Sequence, residues 1–507
     1  MLPAMLKIVD RFLDHITMYR LVLWYLIALL AAAMALSLAG FLPYTPLAIA
    51  MSTALVLAVC WLANIVFARV FEVPANRESV YITALIVALI MDPVGPGDIA
   101  GIGALVFAAI WAVASKFIFA IGRKHLFNPA AFGVLLPALL LDRPATWWLG
   151  GSLLLLPVVM AGGLLMVRKL RRFDLVATFL LATLATILVT TPPAGYAMAI
   201  SQTLKYSPIF FFAFVMLTEP LTAPTMRWPR LAFGALVGML FAPNIHIGDF
   251  YLTPEMALLV GNLFAWAISP KGRFVLVLER IEQTAADTFD FVFQAPRRLA
   301  FSPGQYLEWT LAMPKSDNRG NRRYFTIASA PGEETVRMGV KFPERLSAFK
   351  RQLARMAPGD TIHAAQLAGD FTLPADRNRK LAFIAGGIGI TPFRSMLQDL
   401  IDRDEARPIT VLYGVEYENA IAYRDVLDHA RHYLGIPTVF AVANRARQGH
   451  YPGRIDARLI RIAIPDFRER TFYISGPQPM VQSVRSTLTR LGVHRSRIKV
   501  DFFPGFA

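Results

Sequence analysis

The feature that most constrains this 507-residue chain is a break near residue 270. Apolar runs of close to twenty residues recur before it and stop after it. At ~1.5 Å per residue such a run matches a hydrocarbon core about 30 Å thick. Residues 1–270 are therefore expected to form a polytopic α-helical membrane domain in the lipid bilayer, and the remainder to be soluble. The chain is 55% hydrophobic and only 17% charged, too apolar for an ordinary soluble protein. Met1 to Arg20 mixes acids with bases and runs straight into a full-length apolar span, so it does not read as a cleavable signal.

A net charge of +16 raises nucleic acid as a partner. No basic-aromatic stripe supports that reading, and no nucleic acid is expected. Lysines and arginines gathered on cytoplasmic loops account for the excess instead. Cys60 is the one cysteine, so no internal disulfide and no four-thiolate iron–sulfur cluster can form. Transmembrane haem needs ligands inside facing helices, and His15, His125 and His246 all lie outside span interiors. No metal site is expected.

Ten spans are expected at 21–42, 46–68, 79–91, 99–121, 128–141, 147–167, 173–192, 208–218, 231–243 and 255–269. With the amino terminus inside, every Lys and Arg before residue 274 falls on the cytoplasmic side except Arg143 and Lys205. That asymmetry predicts a multi-pass protein of the bacterial inner (cytoplasmic) membrane with both termini cytoplasmic. Ten spans divide into an inverted five-plus-five repeat. The third and eighth match under this division, and both are short. They end in similar phrases, Met91-Asp92-Pro93-Val94-Gly95-Pro96 and Thr218-Glu219-Pro220-Leu221-Thr222-Ala223-Pro224. Paired, Pro-broken short segments point to a buried site at a repeat interface. The candidates are Asp92, Asn128, Thr218, Glu219, Thr222 and Thr225; the plainer alternative is that Asp92 and Glu219 only cap helices. Asn128 is expected to cap the fifth span with Pro129 at its first position. Phe71 to Asn76 precede Arg77-Glu78-Ser79, another polar entry to a short helix.

These phrases resemble the NqrB/RnfD family of integral subunits in sodium-pumping quinone reductase and Rnf complexes. The likeness runs over about residues 15–270. It is carried by His125-Leu126-Phe127-Asn128-Pro129-Ala130, by Phe212 to Thr225 and by Phe233-Gly234-Ala235-Leu236-Val237-Gly238. It implies a ten-helix inverted repeat that carries flavin. The family attaches FMN to a threonine in an Asp-x-x-Ser-Gly-Ala-Thr-like loop between the fifth and sixth spans. Here that loop is only Asp142-Arg143-Pro144-Ala145-Thr146, so covalent FMN on Thr146 is not expected. A second, non-covalent flavin (FMN or riboflavin) or a quinone pocket stays open.

Beyond Gly272 the pattern alternates, as in Thr288-Phe289-Asp290-Phe291-Val292-Phe293, with Pro-Gly turns between runs. This predicts an antiparallel β-barrel over 271–377. After Lys380 the rhythm becomes strand–helix–strand, with strands expected at 381–385, 409–413, 438–442, 471–475 and 498–503. A doubly wound parallel α/β domain over 378–507 follows.

Three motifs carry chemistry. In Arg323-Tyr324-Phe325-Thr326-Ile327-Ala328-Ser329 the arginine shares a strand face with Phe325. It can pair with a diphosphate while the ring stacks on a flavin and the hydroxyl bonds it. Ile384-Ala385-Gly386-Gly387-Ile388-Gly389-Ile390-Thr391-Pro392 joins a strand to a helix, where glycines admit a pyrophosphate. Tyr473-Ile474-Ser475-Gly476-Pro477 marks a strand end where a nicotinamide can rest, and Phe506 sits almost at the terminus.

In this order, over 272–507, the motifs resemble the ferredoxin–NADP(+) reductase superfamily. The resemblance implies FAD on Arg323, Tyr324, Phe325 and Thr326, with Lys341 and Ser347 in support. It implies NADH or NADPH on Gly386, Gly387, Gly389, Thr391, Pro392, Gly476 and Pro477. Thr326 and Phe506 would be the catalytic residues, Phe506 shielding the flavin face that receives hydride. Arg445 and Arg447 suit a 2′-phosphate and Glu416 a ribose hydroxyl, so the nucleotide stays open.

The expected function is electron transfer from cytoplasmic NAD(P)H through FAD to a quinone or an extracytoplasmic acceptor protein. The alternative is a redox-driven sodium transporter.

Overall fold

The computed structural model describes residues 9–10, 12–13, 16–71, 77–121, 124–269, 274–313, 321–344 and 346–501. Residues 72–76 of the segment Phe71 to Asn76, and the terminal Phe506, lie outside them. The chain divides into two compact units, Met1–Lys271 and Gly272–Ala507.

The first unit is helical, and its helices start where the sequence supplies caps. In α1 (Met18–Leu38) the Thr17 hydroxyl accepts from the Arg20 amide at 3.2 Å. Thr45 and Pro46 open α2 (Pro46–Val70) in the same way, the hydroxyl accepting from the Ala48 amide. Next come α3 (Arg77–Ile90) and α4 (Ile99–Ile118), which Asp98 caps. Asn128 and Pro129 open α5 (Pro129–Leu141) as the sequence predicts, with the Asn128 side chain 3.0 Å from the Ala131 amide. Then follow α6 (Leu156–Leu170), α7 (Phe173–Thr190), α8 (Tyr196–Tyr206), α9 (Arg227–Phe241) and α10 (Pro254–Ile268).

Helix is found within each of the ten expected segments. Among the described residues four helices, α1, α2, α4 and α7, are long and apolar enough to cross a membrane. The sixth segment departs from expectation and becomes α-helical only at Leu156. Residues before it are held in turns: Trp147 has φ +53°, and a Cβ on Gly151 would meet the Tyr206 carbonyl at 2.7 Å. The short helix α8 is an addition that hydropathy does not reveal. The eighth segment is broken, as Ile209–Phe211 passes into a π-helical turn at Phe212–Met216. Such turns are rare and gather at functional sites.

Small residues set how closely these helices pack. A Cβ on Gly133 of α5 would lie 2.5 Å from Ala112 Cβ and 2.6 Å from the Ala108 carbonyl of α4. Ala108 and Ala112, one turn apart, thus form a smooth stripe against which α5 rests. Gly133→Leu is expected to destabilise the unit by about 3 kcal/mol through overpacking. The check is the thermal midpoint in detergent, and an unchanged midpoint would count against this packing.

The second unit opens with an antiparallel sheet. Its strands are β1 (Phe274–Ala285), β2 (Thr288–Gln294), β3 (Tyr306–Thr310), β4 (Arg322–Thr326), β5 (Thr335–Lys341) and, after α11 (Ala348–Leu353), β6 (Thr361–Ala368). Their spatial order is β4-β3-β6-β1-β2-β5. The two ends are linked just past β4, where the Ala328 amide donates to the Arg337 carbonyl at 2.9 Å. Trp309, Phe291, Phe293 and Phe349 fill the inside.

A parallel sheet follows, built from β7 (Leu381–Gly386), β8 (Ile409–Val415), β9 (Thr438–Val442), β10 (Tyr451–Pro452), β11 (Thr471–Ser475) and β12 (Ile498–Asp501). Their order is β10-β9-β8-β7-β11-β12. Every residue of the central strand β7 is buried, as helices on both faces require. α12 (Thr391–Asp402) and α13 (Arg424–Leu434) cover one face; α14 (Ala457–Ala463) and α15 (Gln478–Arg490) cover the other.

Candidate functional site

The β4 strand alternates as its sequence predicts. Arg323 is buried, at 8% exposure, whereas Arg322 and Tyr324 on the other face are exposed. The Arg323 guanidinium lies over the Phe349 ring at 5.2 Å, and the Phe325 ring packs on the same phenyl at 5.9 Å. A strong cation and an aromatic are thus fixed side by side, with buried Thr326 next along the strand. Phe349, which organises the pair, carries no motif of its own, so the sequence does not single it out. Tyr324 points away and donates to Glu308 at 2.9 Å. Lys341 pairs with Asp287 at 2.8 Å, and Ser347 caps α11 through the Lys350 amide.

The glycine motif sits at the carboxyl end of β7. Gly387 has φ +51°, a left-handed conformation that favours glycine, and nothing lies within 4 Å of where its Cβ would be. Gly389 is the reverse case: a Cβ there would meet the Ser475 carbonyl at 2.4 Å and the Gly476 amide nitrogen at 2.5 Å. So Gly389 lets the β7 and β11 loops touch, while Gly387 faces open space. Thr391 and Pro392 begin α12, and Pro477 immediately precedes α15. Two helix N-termini therefore follow two adjacent parallel strands, an arrangement that favours anions. A buried arginine beside a ring could pair with a diphosphate, and an open glycine loop between helix N-termini could admit a pyrophosphate. Of the residues weighed for nucleotide choice, Arg447 is 2.9 Å from Glu418, and the Glu416 carbonyl accepts from the Asn444 amide.

In the first unit the candidates separate into two groups. Asn128 Nδ2 donates to Glu219 Oε2 at 2.9 Å, and the Thr222 hydroxyl donates to the same oxygen at 2.9 Å. The Asn128 amide donates to Asn262 Oδ1 at 2.8 Å. Asn262, only 1% exposed, joins this cluster; a lone amide in an apolar run was its sequence signal. Asp92 bonds elsewhere, accepting from Tyr44 and, at 2.8 Å, from Thr146. The Thr218 hydroxyl donates to the Phe214 carbonyl of its own turn, and the Thr225 carbonyl accepts from Arg230.

The second unit has an antiparallel-sheet domain followed by an oxidoreductase NAD-binding domain. Residues 383–486 match the oxidoreductase NAD-binding domain family. The chain is 28% identical over 216 residues to a flavohemoprotein of Bacillus cereus, covering 40% of this chain and 53% of that one. To a Bordetella pertussis flavohemoprotein it is 31% identical over 218 residues, with the same coverage of 40% and 53%. The chain thus spans about half the length of the curated relatives it matches. Among solved structures it is similar to the flavohem-like FAD/NAD binding domain of nitric oxide dioxygenase from Vibrio cholerae, with 22% identity, TM-score 0.42, and coverage of 46% and 99%. It is also similar to a ferredoxin NADP+ reductase from Neisseria gonorrhoeae with bound FAD and NADP, with 19% identity, TM-score 0.39, and coverage of 46% and 98%.

Proposed function

We propose that this chain is a membrane-bound NAD(P)H-dependent flavoprotein oxidoreductase that passes electrons from cytoplasmic NAD(P)H to a quinone or an extracytoplasmic acceptor protein. The observation that carries the reading is the joining, in one chain, of an NAD-binding oxidoreductase domain to four helices of membrane-crossing length. Arg323, Phe325 and Thr326 would hold FAD, with Tyr324, Lys341 and Ser347 around it; Phe506 would shield it. When bound, FAD supplies the exchange between hydride chemistry and single-electron transfer. The chain's own part is placement. Gly386, Gly387 and Gly389 bring backbone amides to a pyrophosphate, and Thr391, Pro392, Gly476 and Pro477 shape the ends of the cradle.

The first unit is read as a ten-span, NqrB/RnfD-like domain of the bacterial inner membrane with both termini cytoplasmic. Helix in each expected segment and the one-sided placement of Lys and Arg support this. Asn128, Glu219 and Thr222 are the favoured membrane site, with Asp92, Thr218 and Thr225 outside its hydrogen-bonded group. A hydrocarbon core about 30 Å thick is too wide for one efficient electron hop. Transfer to the far side therefore calls for a second, non-covalent flavin in this unit.

The test is the purified chain in proteoliposomes. NADH or NADPH added outside is expected to reduce a lipid-soluble quinone, with one FAD released per chain on acid precipitation. A second flavin per chain would support transfer across the membrane. No quinone reduction and no reduction of an enclosed acceptor would overturn the reading. Turnover that depends on sodium would favour the transporter alternative.

A further inference from the structure

Asp290 of β2 is fully buried and stands directly opposite Gly339 of β5. Gly339 has no side chain to fill the space above the sheet. A Cβ there would lie 2.4 Å from Tyr423 Oη and 2.6 Å from Thr391 Cγ2. The glycine thus opens a notch in the antiparallel sheet, and two residues of the parallel-sheet domain enter it. One is Thr391, the first residue of α12. The other is Tyr423, whose hydroxyl donates to the Asp290 carboxylate. The second Asp290 oxygen is 3.5 Å from Arg337 Nη1.

Tyr423 adopts φ +56°, ψ 38°, a left-handed backbone that is rare for a bulky residue. Such a conformation persists only where its surroundings over-determine it, and it gathers at functional positions. Its neighbour Ala422 donates its amide to Tyr413 Oη at 3.3 Å, and Tyr413 Oη donates to the Gly387 carbonyl at 3.1 Å. A continuous path therefore runs from Asp290 through Tyr423, Ala422 and Tyr413 to Gly387, the open glycine of the cradle. A second stitch lies beside it, where the Ser395 hydroxyl of α12 donates to the Ser329 carbonyl just past β4 at 2.7 Å.

We propose that Tyr423 is a positioning residue: latched into the Gly339 notch by Asp290, it fixes the Gly387 loop at a set distance from the flavin-binding sheet. The inference rests on the reductase reading, since its purpose is to align a nicotinamide cofactor with FAD. Hydride transfer is steep in distance, and a misplacement near 1 Å costs about a hundredfold.

The experiment compares full-length wild type with Tyr423→Phe, which keeps the ring and removes the hydroxyl. Amide hydrogen exchange over 386–391 is expected to quicken about tenfold. Anaerobic flavin reduction by NADH or NADPH is expected to slow by about 10- to 100-fold, with flavin content retained. Asp290→Asn keeps an acceptor for the tyrosine and is expected to stay within about threefold of wild type. Gly339→Ala, which closes the notch, is expected to behave as Tyr423→Phe or worse. Unchanged exchange and unchanged flavin reduction in Tyr423→Phe would overturn the latch. A wild type whose flavin neither NADH nor NADPH reduces would instead sink the reductase reading, and the exchange comparison would still decide the latch.

Discussion

Arg323→Ala is expected to leave the purified chain almost free of FAD. Arg323 is the buried cation of the β4 strand, held over the Phe349 ring with one guanidinium nitrogen 2.7 Å from the Arg322 carbonyl. Hydrogen bonds to a charged group contribute about 1.5–3 kcal/mol each. Losing a forked pair of them to a diphosphate comes to about 3 kcal/mol or more, over a hundredfold in Kd. The guanidinium also packs, so part of the effect could act through Phe349. Arg323→Lys separates the two: it keeps a charge and most of the stem but loses the fork, and partial retention of FAD is expected. The measurement is flavin absorbance per chain after gel filtration, with far-ultraviolet circular dichroism to check folding. Stoichiometric FAD in Arg323→Ala would remove β4 from the flavin site.

The sequence was most legible where one residue type has one local job. The break near 270 coincides with the boundary between the two compact units. Asn128-Pro129 and Thr45-Pro46 mark helix starts because an amide or hydroxyl acceptor and a preset φ are what a first turn lacks. Strands 438–442 and 471–475 fall where the apolar runs and their turn residues placed them. What stayed hidden depends on contacts distant in sequence. Before the late start of α6, Gly150 and Gly151 lie close against Pro208 and the Tyr206 carbonyl, contacts that hydropathy does not report. Thr218 and Thr225 sit in the same phrase as Glu219, but the Thr218 hydroxyl turns back to the Phe214 carbonyl of the π-helical turn, and the Thr225 carbonyl accepts from the Arg230 side chain. Asn262 joins Asn128 across a long sequence separation, and hydropathy reports only that it is polar. Tyr423 is least legible of all: nothing in its neighbours announces a left-handed tyrosine, and its reason lies in Gly339.

Gly389→Ala is expected to abolish NAD(P)H oxidation, by about a hundredfold or more, while leaving FAD bound. The added methyl would stand 2.4–2.5 Å from the Ser475 carbonyl and from Gly476 Cα and nitrogen. These are backbone atoms at the end of a parallel ladder in which Ala385 pairs with Ser475. They cannot swing aside as a side-chain tip would, so the β7 and β11 loops must part, at a cost of about 3 kcal/mol. The flavin residues are on the other sheet and should keep their cofactor. Gly387→Ala is the informative partner. Its φ of +51° makes alanine strained by about 1–2 kcal/mol, yet no atom lies within 4 Å of the new methyl. That chain should fold, and the methyl should intrude only on whatever occupies the open space. A raised KM for NAD(P)H with a midpoint lowered by only about a few degrees in Gly387→Ala, beside lost activity and a more strongly lowered midpoint in Gly389→Ala, would mark Gly387 as the ligand-facing glycine and Gly389 as the packing one. Equal KM values in wild type and Gly387→Ala would mean that the pyrophosphate does not lie over this loop.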